Sequence, residues 1–403
     1  LTISAFGSML APQFLGNLEN SYWITSSLDT SFIALVIVRI IGGVGVGITS
    51  VVAPIYISEL TLPEKRGKMV SLYQLSITLG ILLAFLVDWI VLNQAGENAG
   101  MISGSQIGFW DWLFVEELWR GMFGTEIPIA LLFLVLLLFV PESPRWQLVN
   151  GMEEKAFSTM VKIGGTVQAK AQMAEMKAAS KVAVKGIKEL FKPYLRRPFL
   201  IGILLPMFSH LSGIAAIMYF APNILNESIK SVESSFLGAV LVGLVNSIFT
   251  FIAIMNIERY GRRKLLLVGV VGAALSLMGV GVLFAMGSNL VIIPLLVYVA
   301  CFAFSYGPIV WVIISEIFPT KIRGLAVSIG SLSLMVTGFL ITLTNPIFIE
   351  TIKPAGTFFL YGALTLPAIW FIYKYVPETK CKTLEEIEMS WKRINDKQQK
   401  EVK

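Results

Sequence analysis

The sequence predicts an all-α integral membrane protein built from two related halves, and three observations carry that prediction. Apolar residues make up 55% of the 403 positions and charged residues only 14%, with a mean hydropathy of +0.75, where soluble domains carry about 25% charged residues. The apolar residues come in uninterrupted runs long enough to cross a bilayer, which takes about 20 residues per crossing. Finally, a charged signature is written twice: ISELTLPEKRG at 57–67 and ISEIFPTKIRG at 314–324.

Taken in order, complete spans are read at 32–58, 69–92, 120–141, 197–225, 236–257, 264–287, 290–315, 324–349 and 355–376. The opening run, 1–16, is too short to cross and starts at Leu1, so it reads as the tail of a span whose beginning is missing. Between the third and fourth complete spans lies a polar, helical insertion, 150–196, with Gly164 and Gly165 as its break. After the last span, TLEEIEMSWKRI reads as an amphipathic helix with Thr383 as cap and Glu386 closing a capping box. The predicted organisation is therefore 1–149 as the remainder of an N-terminal bundle, 150–196 as a helical domain, 197–376 as a C-terminal six-helix bundle and 377–403 as a tail helix.

Loop charge sets the orientation. Lys65, Arg66 and Lys68, then Arg259, Arg262, Arg263 and Lys264, then Lys321 and Arg323, together with 150–196 and the tail, all fall on one side when spans are counted. The positive-inside rule makes that side cytoplasmic. The loop 17–31 has no Lys or Arg, and Trp89, Trp110, Trp112 and Trp119 cluster near the opposite boundary, as interfacial aromatics do. Cys301 and Cys381 sit in an apolar run and in the tail, so no disulfide framework is implied.

The halves share a second signature, PESPRW at 141–146 and PETKCK at 377–382, each just after a span. Duplicated halves are how many secondary transporters are built. The later half has six spans and the earlier one three and a stub, so two spans and part of a third, with the earlier counterpart of ERYGRRK (258–264), are expected to be absent from this chain. Glu59 and Glu316 fall at helix C-terminal ends and Arg66 and Arg323 at N-terminal ends, each the wrong sign for the helix dipole. An unfavourable arrangement kept in both copies points to partners elsewhere: Glu142, Arg145, Glu258, Arg259, Arg262, Arg263 and Glu378, forming an inner latch that opens in another state. The bland alternative is that these charges only fix topology.

RIIGGVGVG (39–47), ISELTLPEKRG, PESPRW, ERYGRRK, GPIVWVIISEIFPTKIRG (307–324) and PETK (377–380) together resemble the sugar porter branch of the major facilitator superfamily. The likeness is to bacterial proton-linked xylose symporters, with facilitative glucose transporters further off, and runs from residue 1 to about residue 390. It implies twelve spans in two bundles, a central sugar site and alternating access. The sugar contacts it implies are Gln74, Tyr219, Asn246, Gly307 and Trp311, where amides meet hydroxyls and an indole meets the C–H face of a sugar. For Trp311 the alternative is core packing; for Gln74 and Asn246 it is interhelical hydrogen bonding.

Five further contact positions depart from the family pattern. Ser209 and His210 stand where two glutamines are usual, Ala215 replaces the asparagine of GIN, and Leu334 and Met335 replace an amide and a tryptophan. Most of these changes remove hydrogen bonds, each worth about 1–3 kcal/mol to a buried ligand. His210 is the chain's only histidine, and its slot makes it a substrate contact, a pH-sensitive element or an interhelical hydrogen bond.

Arg39 and Glu126 interrupt apolar runs and match charged residues of the xylose–proton symporters, whereas the facilitative carriers generally lack the second acid. They are the expected proton-coupling residues, a structural Arg–Glu pair being the alternative. No Walker loop, metal-spaced Cys/His set or nucleophile elbow is present, and GGVGVG at 42–47 lies inside a span, where glycines permit close helix packing. The expectation is a non-enzymatic, monomeric, multi-pass carrier of a bacterial inner membrane, with a cytoplasmic C-terminus, no cofactor, no metal and no nucleic-acid partner. Its partners are a sugar or polyol, protons and the lipid bilayer. A facilitative uniporter, a non-transporting sugar sensor and a nonfunctional fragment are the alternatives.

Overall fold

The computed structural model describes residues 30–61, 66–98, 111–180, 191–319, 322–380, 386–387, 389–391 and 393, and all regular structure among them is helical. The predicted stub 1–16, Trp110, Lys65, Lys321, Cys381 and the Thr383 cap lie outside the described residues, as does the side chain of Arg66.

Thirteen α-helices follow in order. They are α1 (Thr30–Leu60), α2 (Arg66–Asn98), α3 (Leu118–Gly124), α4 (Glu126–Leu137), α5 (Pro144–Val149), α6 (Glu153–Ser180), α7 (Arg196–Leu211), α8 (Ile214–Ile229), α9 (Val232–Tyr260), α10 (Arg262–Ala285), α11 (Ile292–Phe304), α12 (Tyr306–Ile317) and α13 (Arg323–Tyr375). Lipid offers the backbone no hydrogen bonds, so apolar runs can cross only as helices that satisfy themselves. Among the described residues, eight segments are long and apolar enough to do so. The sequence predicts nine. The numbers differ only because 324–349 and 355–376 follow one another without a gap along α13, as two helices that meet at a kink where Lys353 adopts φ 65°, ψ 164°. Pro354 follows Lys353 and disfavours the right-handed helical conformation there.

Other breaks have equally local causes. The run 197–225 divides at Gly213 (φ 85°), where a Cβ would stand 2.4 Å from the Tyr361 ring, so only glycine fits the turn between α7 and α8. The span 290–315 breaks at Ser305 (φ −120°, ψ −81°), three residues before Pro308, whose ring removes a helical donor. In the polar insertion, α6 is interrupted at Gly165 (φ 78°, ψ 170°). The short α5 starts with Pro144 in its first turn after the Ser143 cap, whose hydroxyl accepts from the Trp146 amide at 3.4 Å.

The chain divides into two compact units. The first takes Leu1–Ala53 and Leu86–Glu142. Its α4 has no buried residue, presenting Ile129 and Leu131 to Leu137 outward, as a lipid-facing helix does. Its most buried charge is Arg120, 2% exposed, held between the Trp112 and Trp119 rings, with Glu117 accepting from both Arg120 Nε and Trp119 Nε1.

The second unit takes Pro54–Phe85 and Ser143–Lys403. Here α13 packs along α10 and α7, α11 packs on α9 and α10, and α8 packs on α9. Two buried apolar clusters fill it. One gathers Leu205, Tyr306, Ile313, Phe318, Phe371 and Val376 with Ile387 and Trp391 of the tail, and the other gathers Ile217, Tyr298, Phe358 and Tyr361. Residues 54–85, part of the predicted N-terminal bundle, group with these later helices: a Cβ on Gly243 of α9 would come within 3.0 Å of Leu82 Cα in α2.

Candidate functional site

The repeated charged signatures occupy equivalent places. Glu59 is next to last in α1 and Glu316 next to last in α12, while Arg66 opens α2 and Arg323 opens α13. Each glutamate has a cation and a hydroxyl as partners. Glu316 accepts from Arg262 Nη2 at 3.0 Å and from Thr379 Oγ1 at 2.5 Å. Glu59 accepts from the Ser143 hydroxyl and faces Arg145 Nη1 at 3.8 Å. Ser143 and Thr379 are the third residues of PES and PET, so the repeat reaches the individual hydrogen bond. Charge-assisted bonds of this kind offset the unfavourable dipole at a helix end.

Glu378 makes contacts that have no equivalent at its counterpart Glu142 among the described residues. Its two carboxylate oxygens accept from the backbone amides of Arg262 (2.9 Å) and Arg263 (3.1 Å), so a carboxylate closes the positive end of α10. Gly261 (φ 88°, ψ 156°) makes room for it, since a Cβ there would meet Glu378 Oε2 at 2.7 Å. Arg263 also donates to the Tyr373 carbonyl, and Lys380 Nζ reaches the Arg259 carbonyl at 2.8 Å. Arg259 lies over the Tyr260 ring, and Glu142 and Glu258 are exposed.

Of the expected sugar contacts, one pair comes together across the sequence repeat. The half-buried Gln74 of α2 lies against Gly307 of α12, its Nε2 3.7 Å from where a Cβ would be. Trp311, one turn along α12, is partly buried with one side packed on the first apolar cluster. Asn246 of α9 is 5% exposed, and Ser209 and Ala215 are buried. Leu334 is half-buried, whereas Met335 is 43% and Tyr219 74% exposed, Tyr219 sitting beside the α8 kink at Phe220. These two are the most exposed of the expected contacts.

Arg39 and Glu126 are both exposed, and among the described residues no ion pair joins them. Arg39 instead stacks over Phe123, its Cζ 4.8 Å from the ring centroid. Glu126 interacts electrostatically with a second carboxylate, Asp88. Asp88 is not among the expected coupling residues, although LLAFLVDWIVL carries the same signal as the other two, an ionisable residue inside an apolar run.

The profile of the family described as "Sugar (and other) transporter" matches residues 8–391. The chain belongs to the sugar porter family of the major facilitator superfamily. Among its relatives, the D-xylose-proton symporter of Escherichia coli (strain K12) is 35% identical over 364 residues, covering 88% of this chain and 71% of that protein. The arabinose-proton symporter of Bacillus subtilis (strain 168) is 36% identical over 372 residues, covering 91% and 77%. Among solved structures, the proton:xylose symporter XylE bound to 6-bromo-6-deoxy-D-glucose superposes with a TM-score of 0.76 at 33% identity, covering 97% of this chain and 81% of that one.

As a sugar porter, this is a multi-pass membrane transporter and not an enzyme. The signal for the Ser143 and Thr379 bonds was present in the sequence, because both hydroxyls hold the same place in the repeated motif. Nothing in the sequence singled out Gly338, which the structure sets against His210.

Proposed function

We propose that this sugar porter is a proton symporter that carries a pentose or hexose by alternating access, its C-terminus and the Glu59 and Glu316 networks on the cytoplasmic side, acting as a monomer. The observation that carries the sugar site is the approach of Gln74 to Gly307, which brings an amide from one half of the repeat beside the broken helix of the other, one turn from Trp311. An amide and an indole supply the hydrogen bonds and the apolar face that a sugar ring takes. Asn246 and His210 complete the polar set, and the inner charge networks serve as latches that part when the carrier turns over.

Proton coupling is supported by Glu126 with Asp88, two carboxylates in one unit, and by the Arg39 cation beside α3. Relatives named as proton symporters for D-xylose and for arabinose match 88% and 91% of the chain.

The test is uptake of labelled D-xylose, L-arabinose and D-glucose into proteoliposomes with and without an inward proton gradient. At least one sugar is expected to accumulate above its external concentration only when the gradient is present. Equilibration without accumulation, at any pH difference, would reassign the protein as a facilitative carrier.

A further inference from the structure

We propose that His210 and Gly338 form one specificity element of the sugar site, in which Gly338 positions the imidazole and the imidazole offers the sugar a hydrogen-bond acceptor and no donor. The proposal rests on the sugar-site reading above.

Three observations carry it. The seam between α7 and α13 is pinned in register at its lower end, where a Cβ on Gly330 would stand 3.1 Å from the Gly202 carbonyl and Ser333 Oγ donates to the Ile203 carbonyl at 2.8 Å. Eight residues further along each helix, at a rise of about 1.5 Å per residue, the same register brings His210 opposite Gly338. There a Cβ would lie 2.7 Å from His210 Cδ2 and 3.4 Å from Nε2, so the Cδ2–Nε2 edge of the ring occupies space that any other residue would fill. Any side chain at 338 would push the ring off this seat or spread the seam.

The tautomer follows from a count of protons. Ser209 Oγ has one hydrogen, and it goes to the Pro206 carbonyl at 2.7 Å. With the hydrogen so placed, we assign the remaining contact, Ser209 Oγ to His210 Nδ1 at 3.2 Å, as Nδ1–H donating to the hydroxyl. A neutral imidazole protonated at Nδ1 has a bare lone pair at Nε2. That nitrogen has no hydrogen-bond partner among the described residues. An amide in this slot would both donate and accept; the imidazole accepts only. A sugar hydroxyl meeting Nε2 must therefore be the donor.

The prediction separates acceptors from donors by chemistry. Counterflow in proteoliposomes is measured with D-xylose and its monodeoxy and monofluoro analogues. A fluorine cannot donate, so at the hydroxyl that meets Nε2 the fluoro and deoxy sugars should lose affinity equally, by about tenfold. In His210→Gln, whose amide can donate, the fluoro sugar should recover relative to the deoxy sugar. Gly338→Ala should raise the D-xylose KM by a similar factor in the native background and change it little in the His210→Ala background. An equal effect of Gly338→Ala in both backgrounds, or a fluoro sugar that already outperforms its deoxy partner in the native protein, would overturn the proposal. Where Gly338→Ala does not fold, the analogue comparison between native protein and His210→Gln decides alone. Absence of counterflow with every sugar tried would instead remove the sugar-site reading, and this proposal with it.

Discussion

The Thr379 hydroxyl donates to a carboxylate oxygen of Glu316 across 2.5 Å, and the Ser143 hydroxyl donates to Glu59 in the same way from the other copy of the motif. The two bonds tie the end of one span to the strap that follows another, at corresponding places in the repeat. The two copies differ in strength. Arg262 approaches Glu316 at 3.0 Å and its side chain is 12% exposed, whereas Arg145 stands 3.8 Å from Glu59 and is 48% exposed.

That asymmetry makes the first prediction. Exposed pairs contribute about 0–1 kcal/mol, while breaking a more buried, bonded pair costs several times more. Arg262→Ala should therefore lower the maximal transport rate far more than Arg145→Ala, with Thr379→Val between them and sugar affinity little changed in all three. Equal rates for the two arginine variants at matched expression would remove the latch role of the Arg262 pair.

Gly261→Ala should destabilise the protein by about 1–3 kcal/mol. The residue lies in a backbone region nearly reserved for glycine, and the added methyl would strike the carboxylate that caps α10. A fall in Tm in detergent should be seen, and Glu378→Gln should reproduce part of it by withdrawing the negative charge from the helix end. An unchanged Tm in both variants would mean that this cap contributes nothing.

Gln74→Ala and Trp311→Ala should each raise the KM for the transported sugar, by about tenfold for a lost hydrogen bond or ring face. Thermal stability should barely move for Gln74, which is only half-buried. A lower Tm with unchanged KM would identify the residue as packing.

Glu126→Gln should abolish accumulation driven by a proton gradient and leave sugar counterflow intact. Asp88→Asn should alter the pH dependence of uptake, because it removes the like charge that interacts with Glu126. Gradient-driven accumulation that survives Glu126→Gln would place proton coupling elsewhere.

How much of this was legible in the sequence depends on the range of the signal. A run such as LLLVGVVGAALSLMGVGVLFA announces its helix because length and apolarity are properties of the chain alone. The division of 290–315 was readable from Gly307 and Pro308, and the break in the insertion from Gly165, for the same local reason. The separation of 324–349 from 355–376 was readable too, because Pro354 disfavours helical backbone at Lys353, where the structure has its kink. For Glu316 the repeat pointed to the Arg259–Arg263 cluster as a partner, but which arginine it takes, Arg262, is decided by the fold, because the two are distant in the chain. Tyr219 shows the converse: its place in a motif is readable, but its 74% exposure, beside the kink at Phe220, is a property of the fold.

The tail leaves a practical consequence. Ile387 and Trp391, one helical turn apart and each 3% exposed, are sunk into the same greasy plug as Leu195 before α7, Ile317 at the foot of α12 and Val376 after α13. Whoever trims this chain for crystallisation or fuses a reporter to it should cut or join downstream of Trp391. A stop codon placed earlier would pull the cork from beneath three spans at once.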